Sequence, residues 1–193
     1  VNIEKYLRRE PVPILKTARL TCRPITPADW PFFLALQQDP DVMRHVADAR
    51  RESEIREAFD SRLPTWHPGD SHWLCLILCD NETHAPLGVT GYIHRAEESA
   101  EVGFLLTPDA QGKGYGTESL RAVCDYAFTL GGLRRLTACV TEGNQASRHV
   151  LEKVGFVLEG TLRESYWLQQ RWQNDWLLGL LKQEYITTAG SRS

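Results

Sequence analysis

The chain has 193 residues, 42% of them hydrophobic and 24% charged, with six tryptophans and a formal net charge of −3. This length fits a single domain with a sizeable core, and the acidic balance excludes a non-specific hold on nucleic acid as the main task, leaving only a local basic patch at Arg134 and Arg135. The opening residues lack an apolar run of signal-peptide length and no apolar span of membrane length follows, so a cytoplasmic protein with no membrane partner is expected.

Residues 1–16 read as an N-terminal extension. A short strand is expected over 19–24, and Pro27 and Asp29 suit the start of a helix reaching Gln38. A second, polar-rich helix over 52–63 is ended by Pro64. Two apolar segments, 73–79 and 87–93, flank the turn residues Asp80, Asn81, Glu82 and Thr83, which predicts an antiparallel hairpin. Residues 100–106 supply the next strand. From Thr117 onward Leu120, Val123, Cys124, Ala127 and Phe128 recur at helical spacing, a stripe suited to packing on a sheet, and the helix stops at Gly131 and Gly132. Residues 136–140 alternate as a strand. Asn144 suits the N-cap of a helix over 145–154, closed by Gly155. Residues 156–158 and 176–181 read as the last strands, and 186–193 as a loose tail. Helices inserted among strands of a mostly antiparallel sheet define an α+β fold. The five cysteines, Cys22, Cys75, Cys79, Cys124 and Cys139, form an odd set without paired metal spacing; they read as buried thiols, and no metal is expected.

Between the strand at 102–106 and the following helix lies the run Gln111, Gly112, Lys113, Gly114, Tyr115, Gly116, Thr117. Glycine removes the Cβ that would block close approach and permits φ > 0, so successive N–H groups can converge on phosphate oxygens as a helix begins; Lys113 adds a charge. A tight turn that needs glycine for geometry alone is the competing reading. The run lacks the hydroxyl after lysine that a nucleoside-triphosphate loop requires. Its third glycine also comes one residue too early for a dinucleotide fingerprint.

This Gln-x-x-Gly-x-Gly loop, with the preceding run from Ala100 to Pro108, resembles the pyrophosphate-binding loop and cofactor strand of the GNAT acetyltransferases. The stretch from Asn144 through Ser147 and Leu151 to Gly155 and Phe156 is similar to the second acetyl-CoA segment of that family. Arg19, Leu20, Arg23 and Pro24 with Asp39, Pro40, Asp41, Val42 and Met43, and the closing run from Glu159 to Asp175, resemble the RimJ/RimL-like branch, which acetylates ribosomal proteins. The resemblance spans residues 17–185, which it implies to be one N-acetyltransferase domain with neighbouring strands splayed to form the acetyl-CoA cleft.

By this resemblance the backbone of Phe104, Leu105 and Leu106 holds the pantetheine arm, the amides of 111–117 take the pyrophosphate, and Asn144 faces the pantetheine end. Asn144 serves equally as a helix cap. Many relatives carry a tyrosine seven residues after the asparagine as general acid; here that position is Leu151. Ser147 is the substitute expected near the sulfur, better suited to hydrogen-bonding than to delivering a proton. Glu101, on the cofactor strand, is the first choice of general base, against the reading of a solvated glutamate on a polar edge with Glu97 and Glu98; Glu142, His149 and Glu159 rank behind it. Trp66, His67, Trp73, Tyr92, Tyr166, Trp167 and Trp172 are candidates for an acceptor pocket, with packing as their alternative role.

The expected activity is acetyl transfer from acetyl-CoA to a protein N-terminal amine. The alternatives are a small-molecule amine (polyamine, amino acid or aminoglycoside), the amino acid of a charged tRNA, or a non-catalytic acyl-CoA-binding protein. A homodimer is compatible with the sequence.

Overall fold

The computed structural model describes residues 10–190. Short strands β1 (Leu15–Lys16) and β2 (Leu20–Pro24) precede a 3₁₀ turn (Pro27–Asp29) and three helices, α1 (Trp30–Gln38), α2 (Pro40–Met43) and α3 (Glu52–Asp60). Strands β3 (Leu74–Asp80), β4 (Pro86–Ala96) and β5 (Ser99–Leu106) follow, then helix α4 (Tyr115–Thr129), strand β6 (Arg135–Thr141) and helix α5 (Gln145–Val154). The chain closes with the long hairpin β7 (Val157–Leu168) and β8 (Arg171–Leu181) and helix α6 (Lys182–Gly190). The eight strands form one sheet in the order β1-β2-β3-β4-β5-β6-β8-β7, antiparallel throughout except for β5 and β6. This is the expected α+β architecture.

Both sheet faces are covered, which explains why β3 reads as a continuous apolar run rather than an alternating one. Leu74, Leu76 and Leu78 point into the core beneath α4 and α5, with Leu120, Val123, Ala127, Leu151 and Val154. Cys75 and Ile77 face the opposite layer, where Phe33, Leu36, Ile55 and Phe59 of α1 and α3 pack on them. Ile55 and Phe59 are wholly buried, each contributing about 1.5–3 kcal/mol.

Several boundaries differ from the sequence reading for identifiable reasons. The first helix begins with a 3₁₀ turn because the Asp29 carboxylate turns back to accept from the Thr26 backbone N–H (2.8 Å) and its hydroxyl. Helix α2 was not expected; Asp39 caps it by accepting from the N–H groups of Asp41 and Val42. Helix α3 stops at Asp60 because the next N–H groups close tighter turns, Arg62 to the Phe59 carbonyl and Leu63 to the Asp60 carbonyl. Strands expected only at 156–158 and 176–181 extend into a full hairpin. Most of β7 is exposed, so its sequence shows no alternation, and its two-residue turn places Gln169 and Gln170 at φ 54° and 60° without the glycine or asparagine that would announce it. At the ends, Val12 is buried, Leu15–Lys16 pairs with β2, and residues 186–190, read as tail, complete α6. Residues 1–9 and 191–193 lie outside the described residues.

The Asp29 carboxylate also takes a two-pronged ion pair from Arg23 (2.7 and 2.8 Å), tying β2 to the entry of α1. Burial opposes its ionisation, but the hydrogen bonds from Arg23 and Thr26 outweigh this and hold its pKa below the ordinary aspartate value. A depressed folded-state pKa contributes stability above the unfolded pKa that is lost as pH falls through the folded one. Asp29→Asn should therefore cost about 2 kcal/mol at neutral pH. In urea titrations across pH, the gap between the two proteins should narrow below about pH 4, where the unfolded carboxyl protonates.

Candidate active site

Strand β5 pairs with β4 along its whole length, Gly88 opposite Leu106 through Ala96 opposite Ser99. Its parallel pairing with β6 covers Ser99–Arg135, Ala100–Leu136 and Glu101–Thr137 and goes no further among the described residues. Strand β6 stays bound to β8 as far as Thr141 opposite Asp175. The two central strands thus part after Glu101, and the β5 edge over 102–106 is left without a strand partner. A cavity of about 480 Å³ opens there, lined by Glu101, Gly103, Phe104 and Leu105 of β5, Cys139 and Thr141 of β6, and Asn144, Ser147 and Leu151 beyond it. A second cavity, of about 410 Å³, adjoins it, sharing His45, Val46, Phe104, Leu105, Asn144 and Ser147 and reaching Leu106 and Gln111.

Beyond the adjoining cavity lies the glycine loop. Gly112 and Gly114 take left-handed backbone angles, φ 72° and 83°. Helix α4 begins at Tyr115 with no side-chain cap, so the N–H groups of its first turn find no partner within the helix. Gly116 is needed for close packing: a Cβ there would lie 3.3 Å from Val150 Cγ2 and 3.5 Å from Leu106 Cδ1. The loop is braced from outside. Arg19 donates Nη1 to the Lys113 carbonyl (2.9 Å) and Nε to Glu118 (2.8 Å), with its guanidinium 4.2 Å from the Tyr115 ring centroid. Free amides at a helix start, open space above Gly112 and a nearby lysine fit a pyrophosphate. Gln111 departs from expectation. Its N–H is taken by the Pro108 carbonyl (3.2 Å) and its side chain donates to the Leu106 carbonyl (3.1 Å), so Gln111 shapes the loop and the donors begin after it.

Asn144 is a helix cap, its Oδ1 accepting from the Ser147 N–H (3.3 Å), and both residues also line the two cavities. Leu151, where relatives carry a phenol, is buried to 1% exposure and forms cavity wall.

On the α1–α3 side, Glu101 holds the Arg95 guanidinium through Oε2 (2.8 Å), leaving Oε1 to accept. Asp175 of β8, not anticipated from the sequence, is buried; Thr141 donates to its Oδ1 (3.1 Å) and Ser165 to its Oδ2 (2.7 Å). Cys139, expected to be buried, is instead exposed between them. Partial withdrawal of its sulfur from water first, and then the charges of Asp175 and Glu101, push its thiol up to about 11. The β7–β8 hairpin closes over this side. The Tyr166 hydroxyl donates to the Val46 carbonyl (2.7 Å), and Gln169 donates its N–H to Asp48 and its side-chain amide to the Arg44 carbonyl. His45 lines the same wall, its pKa lowered by burial and by the neighbouring Arg44 charge.

Of the aromatic candidates, Trp73 and Tyr166 line the cavity. Trp66 and Tyr92 pack edge-to-face in the other core, Trp167 and Trp172 pair on the exposed hairpin, and His67 meets Asp70. The lesser base candidates are engaged or distant: Glu142 accepts from Asn174, and Glu159 grips Arg135 with both oxygens. Neither these two nor His149 lines the cavity.

The sequence model of the acetyltransferase (GNAT) domain matches residues 19–157. An uncharacterised N-acetyltransferase of Bacillus subtilis is 31% identical over 79% of this chain and 87% of its own. Spermidine N(1)-acetyltransferase of Vibrio cholerae is 27% identical over 88% of this chain and 96% of its own. The crystal structure of spermidine N-acetyltransferase from Vibrio cholerae, in complex with CoA and spermine, superposes with a TM-score of 0.77 at 24% identity, covering 88% of this chain and 99% of that one.

Gly114→Val tests the loop. A β-branched residue resists φ 83° and its Cβ would sit 3.2 Å from the Arg19 guanidinium, so acetyl-CoA binding should be lost while the fold persists. Calorimetric titration of the folded variant checks this; near-native affinity would remove the loop from the binding site.

Proposed function

Because the chain belongs to the GNAT family of acetyl-CoA-dependent N-acetyltransferases, we propose that its acceptor is a small-molecule primary amine that enters the splay from the α1–α3 side. The observation that carries this reading is the roof over that side. The β7–β8 hairpin is hydrogen-bonded onto residues 44–48, and the cavity beneath it, about 480 Å³, falls within the range of small-molecule sites. The similarity to spermidine N-acetyltransferases supports the same class of acceptor. A protein N-terminal amine, suggested by resemblance to the RimJ/RimL-like branch, has less behind it.

Acetyl-CoA supplies an activated acetyl thioester. The residues of the chain then divide the remaining work. The amides of Gly112, Lys113, Gly114, Tyr115, Gly116 and Thr117 hold the pyrophosphate, and the vacant edge of β5 at Phe104 and Leu106 hydrogen-bonds the pantetheine arm, while Leu105 between them turns its carbonyl toward Gly88 of β4. Asn144 fixes the start of α5 and so positions Ser147, whose hydroxyl donates to charge developing on sulfur. Glu101 accepts the amine proton through Oε1, directly or through a water, while Arg95 fixes the orientation of its carboxylate. With both oxygens of Asp175 already accepting hydroxyls, from Thr141 and Ser165, that residue positions Thr141 in the cavity wall. Much of the rate comes from holding two substrates together across the splay.

A mass-spectrometric screen of small amines and N-terminal peptides with acetyl-CoA should give acetylated small amines; exclusive acetylation of peptides would overturn this reading. With a verified acceptor, Glu101→Gln should lower kcat/KM by about a hundredfold at neutral pH. The deficit should shrink as pH rises and more of the amine is already neutral. Asp175→Asn should give a deficit that stays constant with pH. The reverse pattern would move the proton acceptor to Asp175.

A further inference from the structure

The acceptor half of the cavity is not uniformly charged. At one end, over β5, β6 and β8, lie Glu101 and Asp175; at the other, Arg50 and Arg62 form the wall. Arg62 follows α3. One of its nitrogens donates to the Ala58 carbonyl (2.6 Å), and its guanidinium lies 5.6 Å from the Phe33 ring and 6.0 Å from that of Trp73. Arg50 donates to the Gln37 side-chain carbonyl. Elsewhere arginines hold carboxylates, as Arg23 holds Asp29, Arg95 holds Glu101 and Arg135 holds Glu159. Among the described residues neither Arg50 nor Arg62 has an acidic partner within ion-pair distance. Burial, and then repulsion from Arg50, lowers the pKa of Arg62. Two guanidiniums near enough to repel each other, one of them largely withdrawn from water and neither held in an ion pair among the described residues, are a prepared anion site.

The sheet sets the distance between the two ends. Cys75 on β3, which feels the Arg62 charge, stands opposite Gly91 on β4, and Gly91 stands opposite Gly103 on β5. Adjacent strands are about 4.8 Å apart, so this row spans roughly 10 Å. Gly91 and Gly103 both line the cavity, and the Trp73 ring packs against Gly103, where a Cβ would lie 3.3 Å from it. With the amine taken at the β5 end of that row, beside Glu101, and the anion one hydrogen-bond length from the arginines at the β3 end, about 7 Å separates the reacting nitrogen from the anion. A planar carboxylate matches the guanidinium fork.

Resting on the small-molecule reading above, we propose that the acceptor is an amine bearing a carboxylate about 7 Å from the reacting nitrogen, bound by Arg50 and Arg62. A polycation such as spermidine would bring positive charge against these arginines and is disfavoured as the acceptor of this chain. The test is CoA-thiol release by the full chain with 6-aminohexanoate, its neutral amide 6-aminohexanamide, spermidine, and a peptide with a free N-terminus. The native enzyme should favour the carboxylate over the amide by about tenfold to a hundredfold in kcat/KM. That ratio should collapse toward one in Arg62→Met, and in Arg50→Gln, which changes an exposed residue and keeps the test available if the first variant fails to fold. A native preference for spermidine or for the amide would sink the proposal while leaving the small-amine reading intact, as would a ratio unchanged in both variants. Turnover of the peptide alone would overturn both.

Discussion

The parting of two central strands organises this molecule. Strands β5 and β6 are held together for three residues, Ser99 to Glu101 against Arg135 to Thr137, and then each is kept on course by its other neighbour. Parallel pairing is slightly weaker per residue than antiparallel pairing, and here one parallel contact is flanked by two longer antiparallel ones. The result is an opening through an otherwise continuous sheet, with a row of backbone groups on β5 left without a strand partner. The two layers of helices would be isolated from each other without that opening; with it, a ligand held on one face can react with a ligand held on the other.

The layers are specialised accordingly. On one face α4 and α5 present helix starts, one at a glycine loop with unpartnered amides and one capped by Asn144, both near the vacant edge of β5. On the other face the chamber is assembled from distant parts of the chain: α1, the segment after α2, the end of α3, and the β7–β8 hairpin. The hydrogen bonds from Tyr166 and Gln169 to residues 44–48 tie the hairpin down over that chamber at a sequence separation of more than a hundred residues. Gly91 and Gly103, paired across β4 and β5, line it together with the Trp73 ring that packs on Gly103.

What was legible in the sequence follows from this division. The proposed cofactor side is encoded locally: the Gln-x-x-Gly-x-Gly run, the asparagine cap and the glycine stop of α5 each lie within a few residues of what they control, and their angles and bonds appear in the structure. Even there Gln111 was misjudged as a donor, because which N–H a turn consumes depends on the 3₁₀ turn at Pro108–Ala110 before it. The proposed acceptor side is encoded by long-range pairing. Asp175 gains its partners from Thr141 and Ser165 only when β8 lies between β6 and β7. Arg62 looks like any helix-end arginine until Trp73, Phe33 and Cys75 surround it. The length of the hairpin was hidden because β7 is exposed and needs no hydrophobic alternation.

Amide hydrogen exchange resolved residue by residue, with and without acetyl-CoA, bears most directly on the role of the splay. The N–H groups on the free edge of 102–106 should exchange rapidly alone and slowly when acetyl-CoA is bound, together with those of 112–117. The β4-bonded amides of the same strand should stay protected in both states. Unchanged exchange along 102–106 under saturating acetyl-CoA would contradict the account, because the opening between β5 and β6 would then not be where the thioester arm lies.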